Sequence, residues 1–355
     1  MVDRLKFACF WALWTQRSLA TYKGFVNPLR HYNASDGSLR FVLQLHDSES
    51  TEDLALAVQD FLDHFDEYKA NLAQLRKHRN VGHGRCIPTL VDTQNVWPTA
   101  QRIQAAGYPL SGRYVNVGAH DGHSDDPLYD YARESNATGV AVERDPERCE
   151  RHRAALPNVH VACSEVTPQN IVSLLRPVLD TGEELDVLKV DIDSYDCPVL
   201  EMILPEVKAK IVLVEANPSI PPPYQWAMLH SPELWTFFNS FHSPEEVPIR
   251  GCSLAYEVQL LRRYGYDLVA FGGHDAVFTH ESVRSAFLPY DVPMDEFDCY
   301  NEAFIAANGI PISRTRRWFF QLSDTQVGLP EIWNFFVDWM KANSPDQLFS
   351  FALRV

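Results

Sequence analysis

At 355 residues the chain can hold one large domain with extensions, or two smaller domains. With 46% hydrophobic and 22% charged residues it has a globular composition, and no apolar run reaches the length a bilayer crossing needs. A formal charge of −16 excludes nucleic acid as the natural partner, because neutralising phosphates takes clustered Lys and Arg.

Seven cysteines, at 9, 86, 149, 163, 197, 252 and 299, are scattered and form no C-x-x-C pair. Their pattern predicts reduced thiols, with neither a disulfide framework nor a zinc knuckle, and favours a cytoplasmic location. Two sequons, Asn33-Ala34-Ser35 and Asn136-Ala137-Thr138, gain meaning only in a secreted chain. Met1 to Lys6 is basic and Phe7 to Trp14 apolar, which imitates a signal peptide or anchor. The run is short and Arg17 follows it, so an amphipathic helix is the favoured reading.

Leu39, Phe41, Leu43 and Leu45 alternate with Arg40, Gln44 and His46 and predict a strand with one buried face. A long helix follows, capped by Ser50 and ending at Arg76, Lys77 and Arg79, with Leu54, Val58, Phe61, Phe65, Tyr68, Leu72 and Leu75 on one face. His78, His83 and Cys86 lie in the next loop without a fourth ligand or a standard zinc spacing, so a helix end and a turn are expected there. Gln101 to Ala106 extends a second helix, which Gly107 stops. Residues 1–110 therefore form an N-terminal extension docked on a core domain of residues 111–285.

That core alternates strand and helix. Strands are expected at Tyr114–Val117, Gly139–Glu143, Val159–Cys163, Val187–Ile192, Ile211–Glu215, Asp267–Phe271 and Ala276–His280. Helices are expected at Pro127–Glu134, Pro146–Leu156, Pro168–Leu179, Pro198–Leu204 and Leu254–Tyr264. Short apolar strands alternating with helices define an α/β fold with a doubly wound, mostly parallel sheet of seven strands. One connection, residues 218–250, is long and rich in Pro and aromatics, suiting either a lid or a small subdomain. Residues 286–355 form an aromatic C-terminal extension in which Ile332, Phe335, Phe336, Trp339 and Met340 outline a closing helix.

The first core strand runs into Val117-Gly118-Ala119-His120-Asp121-Gly122, where two glycines let a ligand approach the backbone at a helix start that Asp126 caps and Pro127 opens. The spacing is G-x-x-x-G, and the dinucleotide fingerprint G-x-G-x-x-G is absent. Glu143 ends the second strand, where a carboxylate can accept hydrogen bonds from both ribose hydroxyls of a nucleoside. Asp191, Asp193, Glu215 and Asn217 end the fourth and fifth strands, where acids can hold a hard cation, orient a hydroxyl or take its proton. Asp191, Glu215 and Asn217 are the candidate metal ligands. His274, in Gly272-Gly273-His274-Asp275, is a further candidate base, with an ordinary turn histidine as the alternative.

These stretches, with Val166-Thr167-Pro168-Gln169-Asn170-Ile171 and Gly265-Tyr266-Asp267-Leu268-Val269, resemble the FkbM-like branch of class I S-adenosylmethionine-dependent methyltransferases over the central half of the chain. The resemblance implies a Rossmann-like methyltransferase sheet and S-adenosylmethionine as cofactor. It puts Gly118, Ala119 and Gly122 under the methionine part, Glu143 on the ribose, Ser164 and Glu165 beside the adenine, and Asp191 facing the methyl group. Two positions depart from the family pattern: Asn116 replaces the usual first acid, and Ser194 replaces a glycine. Asn116 is then expected to bond the loop or the cofactor's amino group. The expected reaction is O-methylation of a small-molecule, glycan or lipid hydroxyl, with Asp191, Asp193 or His274 as base. An NAD-dependent oxidoreductase and a non-catalytic binding or scaffold protein are the competing readings, the former disfavoured by the missing fingerprint.

Overall fold

The computed structural model describes residues 25–33, 38–46, 91–231 (without 125, 181, 183 and 223), 250–287 (without 273), 296–300, 338–339 and 351–354. They fall into two compact units, one within Met1–Asn80, Ser231–Ser240 and Trp339–Val355, the other within Val81–His230 and Phe241–Asp338. The helix expected between Ser50 and Arg79, the 78–86 loop and most of the closing C-terminal helix lie outside the described residues.

In the first unit β1 (Phe25–Asn33) and β2 (Ser38–His46) form an antiparallel hairpin, which places the alternating Leu39–Leu45 run in a strand. A late strand, residues 351–354, pairs with β2 through Ala352 and Leu353.

The second unit is built on a seven-stranded sheet. In chain order its members are β3 (Arg113–Val117), β4 (Thr138–Glu143), β5 (Val159–Cys163), β6 (Leu185–Val190) and β7 (Ala209–Glu215). After a short outlying strand, β8 (Gln225–Met228), come β9 (Tyr266–Gly272) and β10 (Asp275–His280). Spatially the order is β5-β4-β3-β6-β7-β10-β9, parallel except that β10 runs against both its neighbours. The expected doubly wound, mostly parallel sheet is therefore the observed one.

Two apolar layers hold it. Val115, Val117, Val140, Val142, Leu188, Val190, Val212 and Val214 face one side, and Tyr114, Ala141, Val187, Ile211, Leu213 and Val277 the other. Side chains alternate across each strand, so a run that is apolar at every position fills both layers. Lys189 and Asn116 are polar residues set within this interior, at 3% and 0% exposure. Asp186 in β6 is buried too, but fully served. It accepts from Lys210 Nζ (2.6 Å), Tyr131 Oη (2.7 Å) and the amides of Ser111 (3.0 Å) and Gly112 (2.7 Å), and these donors outweigh burial to hold its carboxyl below the usual range.

Helices cover both faces: α1 (Trp97–Ala105), α2 (Tyr129–Glu134), α3 (Pro146–Ala155), α4 (Ile171–Leu174), α5 (Arg176–Leu179), α6 (Asp196–Ile203), α7 (Leu254–Arg262) and α8 (Glu296–Tyr300). Caps explain several boundaries. Asp145 accepts from the amides of Glu147 and Arg148 to open α3, and Ser253 from that of Tyr256 to open α7. α2 begins at Tyr129, two residues after the expected Pro127, because Asp126 bonds the Leu128 amide in a preceding turn. The single helix expected over 168–179 is two short ones meeting at Leu175, since Pro177 has no N–H to continue the ladder.

The cysteine expectation is overturned. Cys149 is bonded to Cys163 and Cys197 to Cys252, with Cα separations of 5.9 and 6.0 Å, and Cys299 is also disulfide-bonded. Sequence spacing gave no sign of this, because 14 and 55 residues separate the partners and only the sheet brings them together. Among the described residues no helix is long and apolar enough to cross a membrane.

Candidate ligand site at the strand-order reversal

The chain builds outward from β3 through β4 to β5, then returns to the other side of β3 with β6 and β7. Doubly wound sheets bind ligands beyond the strand C-termini at such a reversal. Here that edge is lined by the bend after β3, the ends of β4 and β5 on one side, and the ends of β6 and β7 on the other.

The bend is stitched to both neighbours. The amides of Gly118 and Ala119 donate to the Val142 carbonyl of β4 (2.9 and 3.1 Å), and the Asp191 amide donates to the Val117 carbonyl (3.0 Å). Gly118 has φ +78°, and a Cβ there would lie 1.6 Å from the Asp191 carbonyl oxygen. Gly122 has φ +69°, and its Cβ would meet the His152 ring at 2.6 Å. Both glycines are required by protein neighbours, β6 and α3, and not by a ligand filling the space a side chain would take. This corrects the reason the sequence suggested for them. What remains open to a ligand is the partly exposed backbone of Gly118.

Glu143 closes β4 at 6% exposure. Its Oε2 accepts from the His120 amide (2.9 Å), and its Oε1 from the amides of Arg144 (2.9 Å) and Asp145 (2.8 Å). The carboxylate thus holds His120 in the left-handed region, at φ +49°. Ser164, at the end of β5, donates its amide to the Glu143 carbonyl (2.8 Å), so residues 164, 143 and 118–120 run continuously along the edge. Glu165 beside it is exposed.

Behind the bend lies a buried polar group. Asn116 donates through Nδ2 to Asp126 (3.0 Å), and among the described residues its Oδ1 has no partner. It is fully buried, so it acts on the loop through Asp126 and does not reach the edge. A carboxylate is therefore supplied ten positions along the chain from the site where Asn116 replaces one. Burial raises the Asp126 carboxyl, and the Lys189 ammonium counters that rise. Lys189 donates to the Gly118 carbonyl (3.1 Å) and pairs with Asp191 Oδ2 (3.0 Å). Burial works against its charge, but Asp191 and Asp126 hold the ammonium above the ordinary lysine range. No role was read for Lys189 from sequence, although a lone lysine in the otherwise apolar Leu188–Val190 run was a signal of it.

On the far side the acids cluster. Carboxylate oxygens of Asp191, Asp196 and Glu215 lie within 4.8 Å of one another. Asp196 is fully buried and accepts from the amides of Ile192 (2.6 Å) and Ser194 (3.1 Å). Burial and then Asp191 push the Asp196 and Glu215 carboxyls upward. Arg250 answers this charge, reaching Asp193 with Nη1 (2.5 Å) and Glu215 with Nη2 (2.7 Å). Asp193 is exposed and held at φ +60°. Of the three candidate metal ligands the fold brings together Asp191 and Glu215, while Asn217 is spent on the Arg250 carbonyl (2.7 Å) and the Ser219 amide (2.9 Å). Asp196 takes the third place, and the cluster's countercharges are Lys189 and Arg250. Nothing local pointed to Arg250, which lies 57 residues from Asp193 in sequence. His274 is exposed on the same edge beyond β7, its carbonyl accepting from the Ala216 amide (2.6 Å).

The fold and edge thus define a doubly wound, Rossmann-like α/β protein with its candidate site at the reversal. No protein-family model matches the sequence, and no curated protein matches it. Among solved structures it is similar to a TehB-like SAM-dependent methyltransferase from Corynebacterium glutamicum, at 13% identity over 62% of this chain and 99% of that one, TM-score 0.28. A SAM-dependent methyltransferase from Thiobacillus denitrificans in complex with S-adenosyl-L-homocysteine aligns at 12% identity over 75% and 94% of the two chains, TM-score 0.27. CalS10, an amino pentose methyltransferase from Micromonospora echinaspora, aligns at 12% over 51% and 88%, TM-score 0.31. Overlaps of this size add nothing to what the strand order and the edge geometry say.

Proposed function

We propose that the chain is an S-adenosylmethionine-dependent methyltransferase of the FkbM-like type, moving a methyl group to a hydroxyl of a small molecule, glycan or lipid. The observation that carries this reading is the junction of Gly118, His120 and Glu143 at the reversal, where accessible glycine backbone adjoins a strand-end carboxylate. A carboxylate offers about four lone-pair positions. Backbone amides occupy three on Glu143, which leaves one on Oε2 for a ribose hydroxyl. The two-hydroxyl grip expected from sequence is narrowed to one.

In this reading the backbone of Gly118 underlies the methionine part with the buried Ala119 behind it, and Ser164 and Glu165 border the adenine. Asn116 and Gly122 shape the bend from behind. The cofactor supplies a methyl group already activated on a sulfonium, so the chain's task is alignment and control of the acceptor's proton. Asp191 is the residue for that proton, because Lys189 fixes its position by holding Oδ2. Asp193 is committed to Arg250 and serves to anchor that arginine. A divalent metal forms no part of this reading.

Calorimetric titration with S-adenosylhomocysteine and its 2′-deoxy and 3′-deoxy analogues tests it. The native protein should bind the parent compound and lose ~10–100-fold in affinity toward one deoxy analogue, the value of a charge-assisted hydrogen bond. Glu143→Gln should bind the parent more weakly and no longer distinguish the two. No binding of the parent, or undiminished discrimination in Glu143→Gln, would refute the assignment.

A further inference from the structure

Two features of the molecule remain unused by methyl transfer: the disulfides and the sequon at Asn136. Disulfides persist where the surroundings are oxidising and are rare where glutathione keeps thiols reduced. Cys149–Cys163 ties α3 to the end of β5, and Cys197–Cys252 ties α6 to the segment that carries Arg250. Both pairs lie within the sheet unit, so its covalent frame is that of a protein matured in an oxidising lumen or outside the cell.

In such a compartment Asn136-Ala137-Thr138 meets the requirements of an acceptor. Asn136 follows the C-cap Ser135 of α2 with φ +48°, and the two closing bonds run from its amide to the Arg133 carbonyl (3.3 Å) and from the Ala137 amide to the Ala132 carbonyl (2.9 Å). This turn thrusts the asparagine side chain outward while the intervening Ala137 is buried. Asn136 and Thr138 are both exposed. The amide oxygen accepts from Asn158 Nδ2 (2.8 Å), so attachment at the nitrogen would leave that bond in place. Thr138 pairs with Arg113 at the start of β4, which puts the turn at the opposite edge of the sheet from Gly118 and Glu143.

We propose that Asn136 is an N-glycosylation site of a chain that folds in an oxidising secretory compartment. The transfer joins the asparagine Nδ2 to the anomeric carbon of a lipid-linked oligosaccharide. That carbon's bond to the lipid diphosphate breaks, the diphosphate leaves with the bonding pair, and the amide gives up one proton. The other sequon, at Asn33, closes β1, and its two following residues lie outside the described part.

Peptide mapping of the full chain from its native source tests both halves. Amidase release of the glycan in heavy-oxygen-labelled water should convert the modified asparagine to a heavy-oxygen aspartate, and non-reducing digests should yield the two linked cysteine peptides. In chain directed to the secretory route by a cleavable leader, occupancy should vanish in Asn136→Asp and Thr138→Ala and persist in Thr138→Ser. Asp keeps both the left-handed backbone and the acceptor for Asn158, so the variant retains the turn. Affinity for S-adenosylhomocysteine should be equal with and without the glycan, which separates this proposal from the cofactor reading. An unmodified Asn136, modification at Asn33 alone, or freely alkylated cysteines would overturn it.

Discussion

Glu257 shows how a single buried acid sets a pH response. It lies in the first turn of α7 with no exposed surface, and among the described residues its Oε2 has no partner. Burial foremost, then Asp196 and Asp275, raises its carboxyl well above the ordinary glutamate range. Between the ordinary value and the raised one, the native state holds a proton that the unfolded chain has released. Stability is therefore full below the ordinary glutamate value and falls as pH rises through the native one. Glu257→Gln keeps the shape and removes the titration. It should match the native protein at about pH 4, below the ordinary glutamate value, and exceed it at about pH 8 by on the order of 1 kcal/mol or more. Thermal unfolding across that range measures this, and an unchanged slope in the variant would show that Glu257 is not the group responsible. Lys189 teaches the converse lesson: its charge is kept because Asp191 and Asp126 flank it, and that pairing became visible only when β6 was set beside the glycine bend.

At the scale of elements, the turn after β3 was legible from its residues, but the cause of its glycines was not. Gly107 and Gly118 both hold positive φ, of +93° and +78°, yet a Cβ at Gly107 meets nothing within 4 Å whereas one at Gly118 runs into β6. Gly107→Ala should cost only the backbone term, roughly 1–2 kcal/mol. Gly118→Ala must also displace the end of a central strand and belongs with the exceptional losses, above about 4 kcal/mol. Urea denaturation of the two variants measures the gap, and similar midpoints would mean that β6 yields freely. Helix ends followed the same division. The caps Asp145 and Ser253 act on amides within three residues of themselves, while the break at Leu175 depended on Pro177 inside an apolar run that otherwise favoured one helix.

Across the whole sheet unit, the disulfides close loops of 14 and 55 residues, for which chain entropy gives about 3 and about 4 kcal/mol. Replacing Cys197 and Cys252 together by serine should lower Tm on the order of 10 °C in calorimetry, and dithiothreitol should then lower it less than it lowers the native protein. No change in either comparison would mean that packing alone holds the Arg250 segment. That segment completes the acid cluster, so its tether also governs where Glu215 and Asp193 find their countercharge.

Apolar strands of the right length, separated by capped helices, determined the α/β class and the placement of most of the seven strands, because burial on both faces leaves a periodicity that local reading detects. The bend at Gly118 and the acid ending β4 were likewise written in adjacent residues. The pairing of Cys149 with Cys163 and of Cys197 with Cys252, the reach of Arg250 to Asp193, and the support of Lys189 beneath Gly118 were decided by tertiary structure. Each joins groups from separate elements, and a charge or thiol in one element carries no local mark of the partner that strand order will bring to it.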